Sequence, residues 1–111
     1  MEDYSKMSDF EVCGYVSMHE HGFSWIEFDD EMSSHVKCGN EGSPGFAIVE
    51  VKGYCNNPSD AWPIIKTNHI NIGWAGDEEW FARTVHTAKV FDVNPLRAAM
   101  IVYLMMKDEE K

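Results

Sequence analysis

The chain has 111 residues and a formal net charge of −10. That length allows one domain, 1–111, built round a single core, and an apolar fraction of 44% is that of a folded protein rather than a disordered one. The acidic balance argues against direct contact with nucleic acid, whose phosphates demand Lys and Arg, and against anionic membrane surfaces; it favours a basic protein partner.

In chain order, residues 1–7 are a polar lead-in with no charged-then-apolar leader. The odd count of three cysteines, Cys13, Cys38 and Cys55, then points to free thiols in a reducing cytosol. Ser8-Asp9-Phe10-Glu11 reads as a capping box, with Met7 and Val12 spaced for a hydrophobic staple. It predicts a helix from Asp9 to Met18 whose inner face carries Phe10, Val12, Cys13 and Val16; Gly14 weakens it. Phe23 to Phe28 is rich in aromatics and reads as a strand. Asp29-Asp30-Glu31 and a polar stretch follow, ending in the Gly/Ser/Pro loop 39–45. Phe46 to Lys52 is β-rich and bounded by glycines, so it reads as a strand that pairs with 23–28 across the loop.

Asn57 can cap a second helix with Pro58 at its first position and Asp60 in its first turn. Pro63 deletes a backbone bond, so this helix, Pro58 to Thr67, is predicted to be short or kinked. Ile70, Ile72 and Trp74 alternate as on one strand face. Residues 75–78 turn the chain and Trp80 to Val85 returns, which predicts a hairpin. Residues 87–93 read as a link to the last helix, which Asn94 caps and Pro95 opens. From Ala98 to Met106 that helix has no polar face, so it is predicted to be buried on most sides. It is well short of the roughly 20 apolar residues that span a bilayer. Lys107 suits its C-terminal dipole whereas Asp108, Glu109 and Glu110 oppose it, so fraying is expected there. The fold class is α+β: a small antiparallel sheet packed with N-terminal, kinked central and buried C-terminal helices.

Three segments resemble one family, the NinX-like proteins of phages and prophages. Tyr4-Ser5-Lys6-Met7-Ser8-Asp9-Phe10-Glu11 is similar to the start of the family's first helix. Tyr54-Cys55-Asn56-Asn57-Pro58-Ser59-Asp60-Ala61-Trp62-Pro63-Ile64-Ile65 is similar to its central signature, and Asn94-Pro95-Leu96-Arg97 with the apolar run to Met106 to its C-terminal one. Together they cover about a third of the chain, in the family's order. The resemblance implies a bacteriophage or prophage origin and an accessory role in the cytoplasm of the infected bacterium. It implies no reaction, and no catalytic residue carries over.

The residues themselves offer several chemistries. His19-x-His21 and His35-x-x-Cys38 are mixed pairs of zinc-ligand type, neither of them the Cys-x-x-Cys knuckle of structural sites. Cys55 sits before a helix N-terminus, where a thiol pKa can fall, with His69 and His86 as bases if the fold brought them close. The bland alternatives are surface histidines and a buried thiol. Phosphate loops, serine elbows and zincin motifs are absent, so no catalytic residue, metal or cofactor is assigned. Met100, Met105 and Met106 read as core, as do Trp62 and Trp74; Trp80, beside Asp77-Glu78-Glu79, reads as an exposed interface anchor.

The strongest functional hint is acidic. The triplets Asp29-Asp30-Glu31, Asp77-Glu78-Glu79 and Asp108-Glu109-Glu110, on one face, would imitate a phosphate backbone; the alternative is three solvated ends and turns. The leading expectation is a non-enzymatic phage accessory protein that binds a host or phage protein, such as a defence or nucleic-acid-acting enzyme it inhibits. The alternative is a nucleotide-type small-molecule binder, with tryptophans stacking a base and Lys66, Arg83 or Arg97 meeting phosphate. Exposed apolar surface would also allow a homodimer.

Overall fold

A computed structural model describes residues 3–29 and 31–110. The capping box forms as its spacing demands: the Glu11 amide donates to the Ser8 hydroxyl at 3.1 Å, and the Ser8 amide donates to the Glu11 carboxylate at 3.2 Å. The helix it starts, α1, runs Asp9–Glu20, beyond the predicted end at Met18. Val12, Cys13 and Val16 are buried as expected and Phe10 is half-buried. Gly14 has a packing reason: a Cβ there would lie 2.7 Å from the Phe28 ring. That ring rests on the helix and meets Phe10 and Tyr15 with centroids 6.0 and 5.7 Å away.

The strand after α1, β1 (Trp25–Glu27), does not pair with the strand at 47–50 as the sequence suggested. A strand from the supposed polar stretch, β2 (His35–Gly39), lies between it and β3 (Ala47–Glu50), all antiparallel. Val36 and Cys38 point inward and are fully buried, while His35 and Lys37 face out. This is a strand alternation of period two, masked in the sequence by charged and glycine-rich neighbours. Met18, Val36, Cys38 and Val49 form a small core between α1 and this sheet.

Helix α2 runs Pro58–Thr67, the predicted span, capped by the Asn57 side chain accepting from the Ser59 amide. Pro63 sits inside it, and the carbonyl it leaves without a partner is that of Ser59, which is exposed to solvent. The predicted hairpin forms from β4 (Asn71–Gly76) and β5 (Glu79–Arg83). The supposed link after it contains a third strand, β6 (Val90–Asp92), with Phe81 opposite Phe91, so the described residues form two three-stranded antiparallel sheets rather than one, within the expected α+β class.

Helix α3, Pro95–Glu109, is the centre of the main core. Every residue from Arg97 to Leu104 is buried, because α1, α2 and the second sheet pack round it. It continues through Asp108 instead of fraying there. The Tyr4 hydroxyl donates to the Asp108 carboxylate at 2.6 Å, and Lys107 pairs with Glu110 three residues on at 3.3 Å, so one tertiary and one local partner offset the unfavourable dipole. No helix among the described residues is long and apolar enough to cross a membrane.

Candidate functional site

The tip of the β4–β5 hairpin combines two features that folding does not require. Its central turn residues, Asp77 and Glu78, have φ of +54° and +64°. Both lie in the left-handed region that this kind of two-residue hairpin turn demands and that Asn-Gly usually fills. A glutamate there is strained, by about 1 kcal/mol or more. Beside the turn the register shifts between Trp74 and Gly76, and Trp74 stands opposite Trp80 with ring centroids 5.2 Å apart in a T-shaped contact. The exposed Trp74, backed by the half-buried Trp80, is thus held next to two exposed carboxylates.

The tryptophans are not distributed as the sequence suggested. Trp74 is 57% exposed and Trp62 59%, so neither is core, and Trp80 is the half-buried member of its pair. The alternation Ile70, Ile72, Trp74 is real, but burial fades along it from buried to half-buried to exposed. Strand β4 is the edge of its sheet and α3 covers mainly β5 and β6, so the hairpin outruns its cover. Trp62 follows inward-facing Ala61 by one residue, which turns it to the outside of α2.

The three acidic triplets sit on three different elements. Asp29 and Glu31 follow β1, with Glu27 and Lys37 beside them; Asp30 lies outside the described residues. Asp77 and Glu78 form the hairpin turn, and Glu79 begins β5. Of the last triplet, Asp108 accepts from Tyr4 and Glu110 pairs with Lys107.

The segments carrying the family resemblance meet at one junction. Asn94 caps α3, its side-chain oxygen accepting from the Leu96 and Arg97 amides, while its Nδ2 donates to the Cys55 carbonyl at 2.7 Å and to Asn56 Oδ1 at 3.2 Å. Asn56 Nδ2 in turn donates to Asp9 at 3.2 Å. Arg97 donates to Asp9, to Asp92 and to the carbonyls of Tyr4, Ser5 and Met7. Burial works against its charge, but the hydrogen bond it donates to Asp9 and the charges of Asp9 and Asp92 outweigh it and hold the guanidinium protonated. Arg97 is therefore committed to the fold and is no phosphate ligand. Pro58, Asp60 and Pro63 shape and start α2, and Pro95 opens α3.

The Cys55 thiol is fully buried beside that of Cys13, and the interaction between the two thiols pulls Cys13 down against its own burial and, together with burial, pushes Cys55 up. Cys55 precedes α2 and His69 follows it, so about 15 Å of helix separates them. His19 and His21 end α1, whereas His35 and the buried Cys38 lie in β2. Among the described residues no group of three or more His, Cys, Asp or Glu could hold a metal ion. His69 and His86 do come together, with Trp62 and Lys66, on an open cavity of about 600 Å³ that sequence reasoning missed. One signal for it was available: Trp62 and Lys66 are four apart on a helix and share a face.

The family model described as Bacteriophage P22, NinX matches residues 3–107. No curated protein and no solved structure matches the chain.

Proposed function

The chain belongs to the phage P22 NinX family, and from that premise we propose that it is a non-enzymatic accessory protein that binds a basic host or phage protein in the cytoplasm of the infected bacterium. The observation that carries this reading is the hairpin tip, where the exposed Trp74 on Trp80 is flanked by the strained acidic turn Asp77-Glu78. Aromatic anchors supply most of the energy of an interface. A rim of one charge sets the partner's sign and the rate of encounter. A defence or nucleic-acid-acting enzyme has a basic cleft of the required sign, and an acidic tip seated in it would inhibit by occupancy.

The test is a pull-down from host lysate at low and high salt, with wild-type bait and with a Trp74→Ala bait. The expected result is a basic protein captured at low salt, weakened at high salt and lost with Trp74→Ala. Capture that ignores both salt and the hairpin substitution would overturn the proposal.

A further inference from the structure

The cavity of about 600 Å³ lies between the C-terminal half of α2, the loop after β5 and Met106 of α3. Its size is that of a small-ligand pocket. Its chemistry is opposite to that of the chain as a whole. None of the twelve residues lining it is an Asp or Glu, in a protein with 19 of them. The polar wall instead carries Lys66, His69 and His86, and the exposed indole of Trp62 stands above a floor that includes the buried Ile65 and Ile70.

Two walls are built rather than incidental. Helix α2 ends with the Ile70 amide donating to the Ile65 carbonyl and the His69 amide to the Lys66 carbonyl, so His69 occupies the left-handed position after the cap. Glycine is the usual residue there; this chain has histidine at φ +53° and turns its side chain onto the cavity wall. The opposite wall, Thr84 to Thr87, is closed on itself. The Thr84 amide and hydroxyl both donate to the Thr87 hydroxyl oxygen, and the His86 amide donates to the Thr84 hydroxyl oxygen. That holds His86 at the rim without help from a ligand.

We propose that this cavity binds a nucleoside monophosphate, with the base stacked on Trp62 and the phosphate held by Lys66 and His69. Stacking on an exposed aromatic suits any base. The charges fix the orientation. Glu109 and Glu110 line an adjoining cavity that shares His86 and Met106, so they repel an anion from that end. The C-terminal dipole of α2 also opposes an anion, and Lys66 in the last turn offsets it. The phosphate therefore belongs at the Lys66 end. This site is separate from the hairpin tip and stands whether or not a protein partner docks there.

Titration calorimetry of the full chain with AMP, GMP, CMP and UMP, and with adenosine and inorganic phosphate as component probes, tests the proposal. A nucleotide is expected to bind more tightly than ~1 mM, at least ten-fold better than either component. Trp62→Ala and Lys66→Ala are each expected to weaken it ten-fold or more. His69→Gly is the control against misfolding: it should raise the melting temperature, because glycine suits that φ, and still weaken the nucleotide. No binding by any nucleotide overturns the proposal. So does binding that ignores these three substitutions, and so does a component that binds as tightly as the nucleotide.

Discussion

Arg97 and Asp9, 88 positions apart, meet at 2.6 Å between a guanidinium nitrogen and a carboxylate oxygen. The pair is asymmetric: the Arg97 side chain is 10% exposed and that of Asp9 47%. Arg97 also spans to Asp92 at 3.2 Å and donates to three carbonyls of the N-terminal segment, which ties that segment, α1 and the strand before α3 to one buried cation.

Removing the buried end should therefore cost far more than removing the exposed one. Arg97→Met takes the cation from the largely buried Asp92, which keeps only the Asn94 amide, and from the carbonyls of Tyr4, Ser5 and Met7, and is expected to destabilise by about 3–5 kcal/mol. Asp9→Asn acts on a solvated partner and should cost about 1 kcal/mol or less. Urea unfolding of both variants checks this, and equal costs would contradict the asymmetric clasp.

Asn94 has two jobs, which one substitution separates. Asn94→Asp keeps the oxygen that caps α3 but loses the amide that holds Cys55 and Asn56, and should cost about 1 kcal/mol. Asn94→Ala loses both and should cost about 2–3 kcal/mol. If the two variants unfolded at the same denaturant concentration, the link to the central segment would be energetically idle.

Stability should fall in alkali. Burial pushes the Tyr103 phenol far above its ordinary value, helped by the hydrogen bond it donates to Glu20 at 2.6 Å and by that carboxylate's charge. Burial also raises Tyr54. Above about pH 10 the unfolded chain loses protons that these folded phenols keep. Stability that is full below that pH is then lost as pH rises, by up to about 1.4 kcal/mol per pH unit for each tyrosine. Tyr103→Phe should reduce the slope by one such share, which denaturant unfolding across an alkaline pH series would show; an unchanged slope would rule out the linkage.

The strained turn should trade stability against recognition. Glu78→Gly places glycine at φ +64° and is expected to stabilise by about 1 kcal/mol. The same change removes a carboxylate beside Trp74 and should weaken capture of a basic partner. Thermal unfolding and the pull-down read the two effects, and a stabilised variant with undiminished capture would show that the turn's charge is unused.

Helix ends were the most legible part of the fold. The Ser8–Glu11 box, Asn57-Pro58 and Asn94-Pro95 placed the starts of the three α-helices among the described residues, because capping is settled within one turn of chain. Strands were less legible. β2 and β6 join their neighbouring strands across loops of six or seven residues, with no two-residue turn to announce them, so the pairing assigned to 23–28 and 46–52 missed the strand that separates them. Of the candidate sites, the acidic residues beside Trp80 were visible as composition, whereas the exposure of Trp74 and Trp62 depended on where α3 and the sheet stop.

The sequence by itself determined the helices, their caps, the apolar run that becomes the centre of the core, the acidic balance and the family, all of which are encoded by residues close together in the chain. Only the tertiary structure decided that Arg97 is consumed by the fold, that Cys55 is sealed beside Cys13, and that Trp62, Lys66 and His69 face His86 across a cavity free of carboxylates. The reason is physical: burial, pairing and local charge are set by which distant segments share a space, and this chain brings its N-terminal, central and C-terminal segments to one junction while leaving the hairpin tip uncovered.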